Sequence, residues 1–210
     1  MTIALQAYTA HERIAGSVST DVRLVDLLAG SAPIVIENCL VAPLAGGPEG
    51  LERWAGVQVD DLLIVVAPGQ SVVPVHAAWH PLTIDVGPYR VTGELPSMPG
   101  FDPARALARP TGSFILLGNV TVELLASAGF EQTDHAYALV NRYAVDSVES
   151  DLELGFFFPG AMVRAGKPVF SDEPEPNLDL EAEPEVAPVD SAGSFDGAFP
   201  DEPVYTARSA

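Results

Sequence analysis

The sequence predicts a mainly β (α+β) fold. It reads as two homologous copies, each a strand, a short helix and several further strands, packed with pseudo-twofold symmetry and followed by a disordered acidic tail. Three observations lead there. The apolar runs are short and β-branched, as in residues 33–41 (PIVIENCLV) and 62–67 (LLIVVA), the length and composition of buried strands rather than helices. Segments recur in one order: Arg13-Ile14-Ala15-Gly16-Ser17-Val18 then residues 33–41, and Arg90-Val91-Thr92-Gly93-Glu94-Leu95 then residues 113–122 (SFILLGNVTV), in which an apolar run again reaches an Asn. A third pair, Leu63-Ile64-Val65-Val66 with Ser71-Val72 and Leu139-Val140-Asn141-Arg142 with Ser147-Val148, completes a repeat spaced by about eighty residues. Finally, the composition changes abruptly near residue 171. The expected boundaries are therefore 1–77 for the first copy, 78–158 for the second, 159–170 for a linker and 171–210 for the tail.

Taken in order, residues 2–18 read as a strand running through Arg13 to Gly16 and Val18. Leu24, Val25, Leu27 and Leu28 then mark a short amphipathic helix over 21–28, with Ser19, Thr20 or Asp21 as N-cap and Gly30 to stop it. The run 34–41 is a strand buried on both faces, and 43–50 is a turn-rich break. Leu51-Glu52-Arg53-Trp54 reads as a helical turn or loop, followed by strands over 61–67 and 71–75 around Pro68-Gly69. In the second copy, 82–86 and 89–95 form a hairpin around Gly87-Pro88. Asp102-Pro103 starts a helix, 114–125 holds the central strands, 135–148 the closing ones, and 152–158 a last apolar strand. Val35, Ile36, Leu40, Ile115, Leu116 and Val120 are expected among the most buried residues.

Charge narrows the function. The chain has 29 acidic and 10 basic residues, a net charge of −19, which opposes nucleic-acid backbones and anionic membranes. The tail alone carries 11 acidic residues and Arg208, with prolines at 174, 176, 184, 188, 200 and 203. Such a segment buries too little apolar surface to offset its ordering entropy. A single cysteine, Cys39, excludes an intramolecular disulfide, and its apolar neighbours make it a small buried hydrophobe. No basic start with a long apolar run marks a signal peptide, and no apolar segment reaches a membrane span. The expected setting is soluble and cytoplasmic, with no nucleic acid, no membrane and no cofactor; the oligomeric state stays open.

Few residues carry a chemical signal. His76 and His80 stand four apart, as metal ligands on one helix face do, but Ala77 replaces the Glu of the zinc-protease pattern and Pro81 follows. The segment reads better as a linker. No phosphate-binding loop or Gly-x-Ser-x-Gly elbow is present. Asp60-Asp61, and Asp151 with Glu149 and Glu153, offer paired carboxylates for acid–base work or a cation, but read better as solvated strand ends. Arg13 and Arg90 hold matching positions before their glycines, either each paired with a carboxylate of its own copy or forming an anion-binding pair. Phe156-Phe157-Phe158 cannot all point inward on a strand, so it is either sandwiched between the copies or an apolar patch for a partner. In the tail, Phe195, Phe199 and Tyr205 are candidate anchors for a protein partner, with the acids steering toward a basic surface.

The order Arg-apolar-x-Gly, Leu24-Val25-Asp26-Leu27-Leu28, an apolar strand and Leu139-Val140-Asn141-Arg142-Tyr143-Ala144-Val145 resembles small bacterial β-rich domains of unknown function. Val140 to Val145 is also similar to the second motif of Sm-like barrels. That resemblance implies RNA binding, against which the acidic balance stands. The expected function is a non-catalytic interaction or scaffold protein that binds a protein partner through its β core, its tail or both. The alternative is a small-ligand or metal-dependent enzyme with its site between the copies.

Overall fold

The computed structural model describes residues 1–69, 77–97, 112–125, 132–152, 154 and 157–165. Contacts divide the chain into two units, Met1–Val169 and Phe170–Ala210, and the described residues all belong to the first. It is mainly β. Strands β1 (Thr2–Tyr8) and β2 (Glu12–Ser19) precede helix α1 (Leu24–Leu28). They are followed by β3 (Ile34–Pro43), β4 (Gly50–Val57), a 3₁₀ turn (Val59–Asp61) and β5 (Ile64–Val66). Then come β6 (Ala78–Val86), β7 (Tyr89–Ser97), β8 (Phe114–Leu124), β9 (Gln132–Asn141), β10 (Val145–Ser150) and β11 (Met162–Ala165). The eleven strands of the described residues lie in one sheet, in the order β11-β10-β6-β7-β8-β9-β5-β1-β2-β3-β4. In the first five strands a meander ends with β5 returning to pair β1; in β6–β10 it ends with β10 returning to pair β6. The two runs are joined by antiparallel pairing of β5 with β9, Ile64 opposite Val140 and Val65 opposite Leu139. Among the described residues no helix is long and apolar enough to cross a membrane.

Both runs bend in the same manner. The β2–β3 register shifts between Ala15 and Ser17, opposite Asn38 at φ 49°. The β7–β8 register shifts between Thr92 and Glu94, opposite Asn119 at φ 48°. Asparagine tolerates this left-handed conformation better than other side chains. Gly16 fills the bulge because nothing larger fits: a Cβ there would lie 2.7 Å from Ile36 Cγ2 and 2.8 Å from the Glu37 carbonyl oxygen. At Gly93 the nearest atom to such a Cβ would be the Gly118 carbonyl oxygen, at 3.1 Å. The bulge also slips the phase of side-chain alternation. Along β3 the buried residues are Ile34 and Ile36, then Cys39 and Val41; along β8 they are Ile115 and Leu117, then Val120 and Val122.

Two apolar cores result. One gathers Ile3, Leu5, Ile14, Ile36, Cys39 and Val57 with Leu24 and Leu28 of α1. The other gathers Ile84, Tyr89, Val91, Leu117, Val148 and Phe158. Strand β5 is shared, with Ile64 and Val66 in the second core and Val65 in the first. Leu139 of β9 reciprocates by joining the first core. An apolar strand buried on both faces is the physical reason for the unbroken Leu62–Ala67 run.

Several expectations are corrected. Residues 2–18 form two strands rather than one. Residues 51–54 lie within β4 and are not a helical turn; the segment lacks alternation because, as an edge strand, it is exposed along most of its length. Residues 34–41 are not buried on both faces: Val35 is exposed, and Leu40 and Leu116 are half-buried, while Ile36, Ile115 and Val120 are core. Position 23, not 19–21, precedes the first turn of α1, and it makes no side-chain cap. The described part of 152–158 is no strand; Phe157 N–H donates to the Leu154 carbonyl in a turn. Finally, the segments Leu63–Val66 and Leu139–Arg142, matched as repeats, include residues that are hydrogen-bonded neighbours across the β5–β9 seam. The strand that takes the place of β5 in the second run is β10. The expected strand 71–75 and the helix start at Asp102 lie outside the described residues.

Candidate functional site

The seam between the two runs gathers polar groups from distant parts of the chain. Tyr8 ends β1, opposite Arg13 of β2. Its hydroxyl lies 2.9 Å from Nε2 of His135 and 3.3 Å from Thr133 Oγ1, both on β9, and donates to Gln6 Oε1 at 3.2 Å. The Tyr8 ring meets Tyr89 edge-on, with centroids 5.4 Å apart. Beside this cluster is a cleft of about 180 Å³ lined by Gln6, Tyr8, Arg13, Leu40, Glu49 and Thr133. Burial pushes the His135 imidazole below its ordinary pKa, only partly opposed by the neighbouring Asp134 carboxylate. A neutral imidazole bonded to a phenol is able to accept or relay a proton, and Arg13 adds a cation at the cleft wall.

Arg90, at the matching place before Gly93, has a different neighbour. It stands opposite Asp85 and donates to it through Nε at 2.8 Å and a terminal nitrogen at 3.4 Å. Ser147 Oγ donates to the same carboxylate at 2.8 Å. The Arg90 bond, helped by Ser147, holds the Asp85 carboxyl below the usual carboxylate range. Arg13 and Arg90 therefore have different surroundings: Arg13 lines a cleft, and Arg90 ties β7 to Asp85 of β6, which Ser147 of β10 also holds.

The other candidates are placed as follows. His80 sits on β6 with Nε2 2.8 Å from Ser97 Oγ, while His76 lies outside the described residues. Among the described residues no group of three His, Cys, Asp or Glu is arranged to hold a metal. Phe157 and Phe158 are buried, Phe158 completely, so the isolated chain does not present them as a patch. Phe156, Phe195, Phe199 and Tyr205 lie outside the described residues. Asn141 of β9 is buried; its side-chain amide donates to the Leu62 carbonyl at 3.1 Å and its carbonyl accepts from Tyr143 N–H. Arg142 is likewise buried, with its guanidinium over the Tyr143 ring.

A second feature is the sheet edge. Among the described residues strand β4 pairs with β3 alone, and it carries Leu51 at 87% and Trp54 at 63% exposure, with Val35 of β3 at 49%. Val35, Glu37, Asn38, Arg53 and Trp54 line a shallow groove of about 380 Å³. Neither feature was visible to local pattern reading. Tyr8 and His135 are 127 residues apart, and an edge strand exposed on both faces has no periodicity. The one local signal in residues 50–57 was the β-propensity of Trp54 and Val57. Compared with family profiles, curated proteins and solved structures, the chain matches none.

Proposed function

We propose that this chain is a non-catalytic interaction protein built from two copies of one β-rich unit, whose outer strand β4 docks a protein partner. The observation that carries the reading is the exposed apolar edge. On the side away from β3, the backbone donors and acceptors of β4 face no strand among the described residues, and beside them stand Leu51, Trp54 and Val35. Strand addition supplies affinity through main-chain hydrogen bonds and specificity through such side chains. That the two runs are copies is supported by their shared strand order, the paired glycines 16 and 93, and the left-handed Asn38 and Asn119. Arg13 and Arg90 hold equivalent register positions. The test is capture from cell extract with immobilised chain. A specific partner should be retained by the wild type and lost by Trp54→Lys with Leu51→Lys. Tail anchoring is the subsidiary form of this reading; if capture instead depends on Phe195→Ala with Phe199→Ala, the tail and not β4 is the docking element.

The seam cluster favours a second reading, a small-ligand site between the two runs. Arg13 and Thr133 line the cleft, opposite the Glu49 carboxylate, and offer donors suited to a small ligand that carries a carboxylate. Titration with acetate or phosphate, followed by the NMR shifts of His135, tests it; no saturable shift lost in Arg13→Ala would remove it.

A further inference from the structure

We propose that the partner of β4 is a second copy of this chain, the two Gly50–Val57 strands pairing antiparallel about a twofold axis with Trp54 opposite its own counterpart. This rests on the edge-strand reading above and names its occupant. Three observations carry it.

The first is the contrast between the two ends of the sheet. At one end β11 is short, four residues from Met162 to Ala165, and paired parallel to β10. At the other, β4 is eight residues long with no proline, no lysine and no bulge, its register with β3 running unshifted from Ile34–Val57 to Val41–Gly50. Short strands, bulges and prolines are common protections of a free edge, and β4 has none of them; of the charges that also blunt edges it carries one of each sign, Glu52 and Arg53. The second is charge. In a chain of net charge −19, β4 contributes one Glu52 and one Arg53, so it is a neutral strand that adds no net like-charge repulsion of its own where two copies pair. A basic partner steered by charge finds no matching excess of acid on β4 itself.

The third is register. A twofold axis normal to a sheet places a residue opposite itself, because rotation about that axis keeps each side chain on its own face. Centring on Arg53 or Glu52 sets like charges opposite each other, which is unfavourable. Centring on Leu51 leaves little strand overlapping. Centring on Trp54 overlaps residues 51–57 and sets Arg53 opposite Ala55, Glu52 opposite Gly56 and Leu51 opposite Val57. Two exposed indoles then cover each other, and no like-charge pair is formed.

The experiment is sedimentation equilibrium on the intact chain, followed by cross-linking of a Trp54→Cys variant. The native Cys39 is buried, so the introduced thiol is the accessible one. Opposite residues of an antiparallel pair have Cα atoms about 4.5–5.5 Å apart, within disulfide reach. We expect a species of twice the 22.1 kDa chain mass, an interchain disulfide for Trp54→Cys and little for Gly56→Cys, whose counterpart is not opposite itself. Trp54→Lys should raise the dimer dissociation constant about tenfold or more by setting two cations face to face, with an unchanged circular dichroism spectrum as the folding control. A chain monomeric at ~100 μM, or a dimer that cross-links no better at 54 than at 56, overturns the proposal. If a monomeric chain still captures a protein in a Trp54-dependent way, the dimer alone falls and the edge-strand reading stands; if that capture is absent too, both fall.

Discussion

Gly16 and Asn38 meet where β2 crosses β3, and each is there for a backbone reason. An added methyl at Gly16 would strike Ile36, Glu37 and Cys39, so Gly16→Ala is expected to cost about 1–3 kcal/mol as overpacking. Gly93→Ala, with its nearest contact at 3.1 Å, should cost less; urea unfolding of both variants checks the order. Ile36 is 1% exposed, so Ile36→Ala should cost about 2–5 kcal/mol, and Leu116→Ala, at a half-buried site, clearly less. Equal losses would contradict the burial pattern. His135 makes stability depend on pH. Its folded pKa lies below the unfolded value of about 6.5, so the unfolded chain takes up the proton first. The contribution is therefore present above pH ~6.5 and is lost as pH falls through that value toward the folded pKa. His135→Gln should flatten the urea midpoint between pH 7.5 and 5.5, and an unchanged slope would show that His135 is not the group responsible. Asp85 acts lower: its depressed pKa gives stability present above pH ~3.9 and lost on further acidification. The glycines and asparagines were legible in the sequence as recurring letters. Which apolar residues face inward was not, because the alternation slips at Asn38 and a slipped alternation reads as a continuous run.

At the scale of elements, strands that bury one face or sit in hairpins were readable. β6 and β7 around Gly87, and α1 with Leu24 and Leu28 inward, follow from period and turn chemistry. The edge was not readable, since Leu51-Glu52-Arg53-Trp54 meets solvent on both sides and selection for a pattern is absent there. Nor was the seam: the similar residues of Leu63–Val66 and Leu139–Arg142 reflect shared burial at one junction, which the eye reads as repetition. That junction is held by hydrogen bonds as well as packing. Asn141 is buried and its amide spans to Leu62, so Asn141→Ala should leave the Leu62 carbonyl unsatisfied by that side chain and cost about 1–3 kcal/mol. Thermal unfolding that moves by less than a degree would place the seam's stability in its apolar contacts alone.

For the whole molecule, one sheet around two cores predicts one transition. Calorimetric and van't Hoff enthalpies should agree, with no separate melting of residues 1–69. Deleting residues 171–210 should leave that transition nearly unmoved, because the two cores are built from residues that precede Ala165; a drop of several degrees would show that the tail contributes to the fold. The shared strand β5 has a practical consequence. Because each run lends the other a piece of its interior, neither is whole when made separately, yet each retains the surface its mate needs. Residues 1–69 and 77–165 produced as two polypeptides should thus be unstructured apart and regain the β spectrum on mixing. The chain would then serve as a split reporter, whose signal reads out whether two tethered molecules have come together.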